Sequence, residues 1–162
     1  MSNVYIFHVG LVTFDFNAST PSGETYHPCY HRKLSFATKV NTDKLTDYIF
    51  KMSGSSNADS DVGKALHASF DFFTEITTEL KDRDQVILFI SDGKSTIGAN
   101  PGQVIADRNK NLQNRVMIFT YLISSDDEAK MQMREMAEQA FSNTTYGSIR
   151  LSISIIQDNS GV

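Results

Sequence analysis

The run Gln85-Val86-Ile87-Leu88-Phe89-Ile90-Ser91-Asp92-Gly93 decides the fold. Its five central residues, 86–90, are all apolar and rich in β-branched and aromatic types, so they favour a strand. Such a run has no polar face to offer to water, which predicts a central strand of a parallel sheet, covered on both faces. Ser91-Asp92-Gly93 then marks where the chain leaves the sheet. That is the carboxyl end of a strand, where open α/β sheets place their ligand sites. A second run, Val116-Met117-Ile118-Phe119-Thr120-Tyr121-Leu122-Ile123, reads the same way.

Between and around these strands the period changes. Leu66, Phe70, Phe73 and Leu80 form a helical stripe before the first run. Earlier still, Leu45, Tyr48, Ile49 and Met52 recur at i, i+3, i+4 and i+7, with Asn41 or Thr42 as N-cap, until Ser53-Gly54-Ser55-Ser56-Asn57 breaks the helix. Residues 4–16 read as one long strand, and 17–30, with two prolines and a glycine, as a loop or hairpin connection. Leu34, Phe36, Thr38 and Val40 alternate within 33–40, predicting a half-buried strand paired antiparallel with the first. After the second apolar run, Ser125 and Glu128 form a capping box for a helix that turns Ala129, Met133, Met136, Ala137 and Ala140 inward. A last β-prone run covers 148–156. Strands alternating with helices define an open α/β architecture with a mostly parallel sheet.

Composition excludes several classes. The chain has 162 residues, 40% hydrophobic and 21% charged, enough for one domain with its own core and unlike a disordered chain. The formal net charge is −4, and no basic run exceeds Arg32-Lys33, so an electrostatic footprint for nucleic acid is lacking. No apolar stretch approaches the length of a transmembrane helix. The first residues lack a signal-peptide profile, so a secretion signal would lie outside this chain. The single cysteine, Cys29, forms no disulfide within the chain and no Cys-rich zinc site. Asn17-Ala18-Ser19 and Asn143-Thr144-Thr145 are glycan acceptors in form.

Two spots carry chemistry. Asp92, beyond the end of a central strand, is placed to bind a hard cation directly or through water; Asp92-Gly93 also reads as an ordinary turn. Asp59-Ser60-Asp61 precedes a helix, where Ser60 or Asp61 would serve as a cap, or where the Ser60 hydroxyl would reach the same cation as Asp92. Gly93-Lys94-Ser95 is not a phosphate-binding loop, because the glycine required five residues earlier is replaced by Leu88. The histidines His8, His27, His31 and His67 show no metal-ligand spacing, and His67 reads as a surface helix residue. Met131, Met133 and Met136 read as core filler. Paired carboxylates drawn from Asp92 and Asp59 or Asp61 would be the only route to an enzyme, and nothing near them supplies a base or nucleophile.

The ordered segments VGLVTF, SDVGKALHASFDFF, QVILFISDG, RVMIFTYLIS and REMAEQA resemble a von Willebrand factor A domain over residues 9–147. VMIFTYLIS and residues 28–52 are similar to the A domain of calcium-channel alpha-2/delta subunits and related cache-domain membrane proteins. The resemblance implies a Rossmann-like, mostly parallel sheet with helices on both faces and one antiparallel edge strand. It implies a non-enzymatic protein-binding or adhesion module of a cell-surface or extracellular protein, with a metal-ion-dependent adhesion site for Mg²⁺, or alternatively Ca²⁺ or Mn²⁺. Ser60 matches the family's hydroxyl ligand, usually threonine, and Asp92 matches the aspartate of its DG turn. The family's third segment, Asp-x-Ser-x-Ser after the first strand, has no match in place. Asp15-Phe16-Asn17-Ala18-Ser19 and Asp158-Asn159-Ser160 are the local substitutes.

The chain thus resembles a single domain over 1–162 that starts at the family's second strand, so the cation would be weakly held. A slot is expected between the strand around residues 9–14 and that at 86–90. A protein partner or a remaining segment of the parent would fill it, in preference to the chain's own residues 150–156. The competing reading is a metal-free structural scaffold in a larger assembly.

Overall fold

The computed structural model describes residues 7–15, 17–19, 33–52, 59–74, 83–113, 115–141 and 154–155. Its first half carries β1 (His8–Val9), β2 (Thr13–Phe14), β3 (Ala18–Ser19), β4 (Ser35–Phe36), α1 (Lys39–Lys51) and α2 (Val62–Thr74). The second half carries β5 (Gln85–Ser91), α3 (Pro101–Asn111), β6 (Val116–Leu122), α4 (Asp127–Phe141) and β7 (Ser154–Ile155). β5 and β6 pair in parallel from Gln85 opposite Val116 to Ser91 opposite Leu122, and β7 adds in parallel beyond β6. β1 pairs with β4 and β2 with β3, both antiparallel. The α/β class with a parallel sheet and added antiparallel pairing is therefore the fold.

The core forms where three helices meet one face of β5 and β6. Val62, Leu66 and Phe70 of α2, Val104 and Ile105 of α3, and Ala129, Met133, Met136 and Ala140 of α4 close over Ile87, Phe89, Val116, Ile118 and Leu122. Each large side chain buried in this way contributes about 1.5–3 kcal/mol. Of the buried polar side chains, Asp61, Asn109 and Thr120 are engaged, and the Gln85 side-chain oxygen is not. The Asn109 amide donates to the Val116 carbonyl (2.9 Å) and accepts from the Val116 N–H (3.0 Å), which fixes the turn from α3 into β6. Arg108 pairs with Asp71 at 2.6 Å and lies over the Phe70 ring, tying α3 to α2.

Several local expectations change. Residues 86–90 are not covered on both faces: Ile87 and Phe89 are buried, but Val86, Leu88 and Ile90 are 45%, 57% and 51% exposed. The reason is alternation: successive side chains of a strand point to opposite faces, and the core helices pack on the face of Ile87 and Phe89. The long first strand is instead two short ones, split at residues 10–12, and each half finds a different partner. Gly10 sits so close to α2 that a Cβ there would lie 2.9 Å from the Phe72 ring. The strand read over 33–40 shrinks to β4, since Thr38 is the N-cap of α1, accepting from the Asn41 N–H at 3.2 Å. Asn41 and Thr42 are thus inside the helix and are not its cap.

Of the α1 stripe only Leu45 is buried; it joins Phe72, Val9, Leu11, Val12 and Leu34 in a second, small cluster. The cap of α4 is Asp126, not Ser125: its carboxylate accepts from the Glu128 and Ala129 N–H groups at 2.7 and 3.0 Å. α3 carries few apolar residues and no strong stripe, and its sequence signal is Asn100 as N-cap before Pro101. Met133 and Met136 are core residues as expected, whereas Met131 is exposed. His67 lies on the exposed side of α2. Leu80, Cys29 and most of residues 148–156 lie outside the described residues.

Candidate functional site: the loop end above β5

At the carboxyl end of β5 the Ser91 hydroxyl donates to the Gly93 carbonyl (3.0 Å) and accepts from the Gly93 N–H (3.2 Å). These two bonds close a turn around Asp92 and leave its carboxylate exposed, with no hydrogen bond among the described residues. The chain then folds back over the residues that lead into α2. The Ser60 carbonyl accepts from the Thr96 N–H at 3.0 Å, and the Ser60 N–H donates to the Thr96 hydroxyl oxygen at 2.9 Å. The Thr96 hydroxyl in turn donates to Asp59 at 3.1 Å.

Ser95 links three elements. Its Oγ accepts from the Val62 N–H at 3.2 Å, and its single proton has Ile97 O at 2.9 Å and Ser60 O at 3.2 Å as acceptors. Its N–H donates to Gln132 of α4 at 2.7 Å. Asp61 caps α2, accepting from the Lys64 N–H at 2.9 Å and pairing with the Lys64 ammonium at 3.4 Å. Gly98 closes over that carboxylate with φ +88, and a Cβ there would fall 2.3 Å from Asp61 Oδ1. The position therefore requires glycine on two counts, backbone angle and space. The Asp61 N–H donates to the Asp15 carbonyl at 2.8 Å, drawing the end of β2 to the same place. Lys94 forms an ion pair with Glu128 at the start of α4.

Ser60 and Asp92 thus sit on two loops that are stitched together at one end of the sheet. Neither the Ser60 hydroxyl nor the Asp92 carboxylate has a partner among the described residues. Asp59 and Asp61 are both engaged: Asp59 accepts from the Thr96 hydroxyl and Asp61 caps α2. Among the described residues no group of three or more His, Cys, Asp or Glu side chains is placed to hold a metal ion. Asp15 lies at this end but closes the β2–β3 hairpin, accepting from the Asn17 N–H at 2.8 Å, and residues 18–19 run back as a strand and do not start a helix. Asp158 and Ser160 lie outside the described residues. Sequence reasoning missed Ser95, Thr96, Gly98 and Gln132. The stretch Ser95-Thr96 followed by Gly98, directly after a DG turn, is the signal that marks a structured loop there.

The von Willebrand factor type A domain family matches residues 6–155, and the chain belongs to that family. Such domains generally mediate protein–protein interaction and adhesion and are typically not enzymes. Among solved structures the chain is similar to proximal thread matrix protein 1 (PTMP1) from the mussel byssus, with 19% identity and a TM-score of 0.54, a likeness of fold. The match covers 79% of this chain and 29% of that one, so the chain spans under a third of that protein's length. No curated protein matches the chain. No described helix is long and apolar enough to cross a membrane.

Proposed function

We propose that this chain is a protein-binding module whose contact surface is the loop end above β5, and that Ser60 and Asp92 there share a weakly held divalent cation, Mg²⁺ first and Ca²⁺ or Mn²⁺ second. One observation carries the reading. The polar side chains around the site, Ser91, Ser95, Thr96, Asp59 and Asp61, are consumed by the loops themselves, whereas the Ser60 hydroxyl and the Asp92 carboxylate are left open. A hydroxyl and a carboxylate are hard oxygen donors that suit such a cation in kind. They are two where about six are needed, so water and an acidic group of the partner would supply the rest. When bound, the cation would offer positive charge to that acidic group. Ser60 and Asp92 would hold it, and the Ser95–Thr96 network would keep the two loops in register. The resemblance to calcium-channel alpha-2/delta A domains supports a cell-surface, extracellular parent protein, with the parent's remaining segment or a separate protein as partner.

Isothermal titration of the chain with MgCl₂ should give weak binding, in the range of about 10⁻⁴–10⁻³ M typical of extracellular divalent-cation sites. Asp92→Ala and Ser60→Ala should each abolish it. Tight binding that Asp92→Ala leaves unchanged would remove Asp92 from the site. Partner capture indifferent to chelator and to Ser60→Ala would favour the metal-free scaffold instead.

A further inference from the structure

Asp92-Gly93 is the one Asp-Gly pair of the chain, and the sequence holds no Asn-Gly. A side-chain carboxyl followed by glycine is open to attack by the next backbone nitrogen, because glycine has no side chain to shield that nitrogen. The surroundings add little shielding. Asp92 is exposed, and its carboxylate has no hydrogen bond among the described residues. A Cβ built on Gly93 would meet nothing within 4 Å, so that side of the turn is open.

The turn is held by one hydroxyl. Ser91 ends β5 opposite Leu122, and its carbonyl accepts from the Ile123 N–H at 2.8 Å, so the sheet fixes its position. The Ser91 Oγ accepts from the Gly93 N–H at 3.2 Å and donates to the Gly93 carbonyl at 3.0 Å. The peptide groups on both sides of Gly93 are thereby tied to the strand end. The bond to the Gly93 N–H is at the long limit for its kind, so it opens readily.

We propose that Asp92 is a site of spontaneous conversion to isoaspartate, and that the Ser91 hydroxyl is the brake on that conversion. Ring closure joins the Gly93 nitrogen to Asp92 Cγ and breaks one Cγ–O bond. The proton of that nitrogen and one from solvent leave with the oxygen as water, and a succinimide remains. Water then adds at the Asp92 main-chain carbonyl carbon and breaks its bond to nitrogen. The nitrogen takes back a proton, and the new carboxyl releases one to solvent. Nothing is oxidised or reduced and the mass is unchanged, but the chain now runs through Cβ and Cγ. Closure requires the nitrogen to give up its proton and turn towards Cγ, and the bond to Ser91 opposes both. The consequence for function rests on the reading of Asp92 as a cation ligand. Conversion moves its carboxylate onto Cα and lengthens the backbone, so the pairing with Ser60 lapses as the molecule ages.

The test stores the whole chain at neutral pH and body temperature and digests it at intervals. Isoaspartate at residue 92 is read from the shifted elution of a peptide of unchanged mass and from labelling by isoaspartyl methyltransferase. Wild type should accumulate it steadily. Ser91→Ala should do so about fivefold faster, the worth of one ordinary hydrogen bond that no longer has to break. Ser91→Thr, which keeps the hydroxyl, should match wild type. Gly93→Ala should convert more slowly, since its methyl shields the nitrogen and meets no neighbour. Amide exchange across 85–91 monitors the strand, and faster conversion in Ser91→Ala with that protection intact supports the brake. No isoaspartate at residue 92 in wild type or Ser91→Ala would overturn the proposal. Equal rates in the two, or a faster rate only where strand protection is lost, would overturn it as well. Magnesium titration of the fresh chain separates this inference from the cation reading: conversion at 92 without any heat of binding would support the first and overturn the second.

Discussion

Toward β6, strand β5 is paired from Gln85 to Ser91, and Ile87 and Phe89 lie buried under the three core helices. On its outer side the same strand meets a groove, and Val86, Leu88 and Ile90 are about half exposed. The residues on the two faces are equally apolar, so composition does not separate them. Neighbours do. Apolar composition states what a strand is able to bury, and the elements packed on it decide what is buried.

The largest test of this contrast is a pair of substitutions on opposite sides. Phe70 is fully buried against the helix-covered face, so Phe70→Ala should lower unfolding free energy by about 3–5 kcal/mol in urea denaturation. Leu88→Ser, on the open face, should change it by no more than about 0.5 kcal/mol, as surface substitutions usually do. A cost at Leu88 comparable with that at Phe70 would mean that the outer face of β5 is covered in solution, and the two sides would not differ.

The same contrast explains what was legible in the sequence. The two continuous apolar runs as strands, the stripe of α2 and the inward methionines of α4 were readable because period or length marks each, whereas the covering of 86–90 on both faces was not met. α3 was not, because Val104 and Ile105 do little to mark a stripe, and it is held by tertiary contacts such as Asn109 to Val116. The cap of α1 was misplaced because three hydroxyl or amide residues, Thr38, Asn41 and Thr42, compete within one turn, and only tertiary packing chooses among them. At the loop end, the position of Ser60 and Asp92 followed from strand ends and helix starts. The Ser95–Thr96 stitching did not, since it joins residues more than thirty positions apart. The exposure of Val86, Leu88 and Ile90 was invisible for the same reason: it depends on which elements pack on their face of the strand.

A second pair sharpens the comparison within the loop end, at a smaller magnitude. Gly98→Ala forces a side chain into φ +88 and against the Asp61 carboxylate, and should cost about 1–3 kcal/mol, read as a lowered melting temperature. Gly93→Ala meets nothing within 4 Å and should be neutral or stabilising by about 0.4–1 kcal/mol, through the unfolded chain. Equal costs at both glycines would mean that the loop is not held against Asp61.

The smallest effect expected is at the ion pair of Lys94 and Glu128, which joins the turn after β5 to the first turn of α4. Its side chains are 41% and 63% exposed, so water and salt screen the pair and holding two long side chains costs entropy. A double-mutant cycle of Lys94→Ala and Glu128→Ala should give a coupling of about 0.2–1 kcal/mol that fades in 1 M salt. The neighbouring link between the Ser95 N–H and Gln132 bridges the same two elements through a half-buried backbone group. Ser95→Pro, which removes that donor, should cost more than either alanine variant and keep its cost at high salt. If the ion pair instead carried the larger, salt-sensitive share, the loop end would be fastened by surface charge. The Asp92 turn would then loosen as ionic strength rose, although its own hydrogen bonds involve no charge.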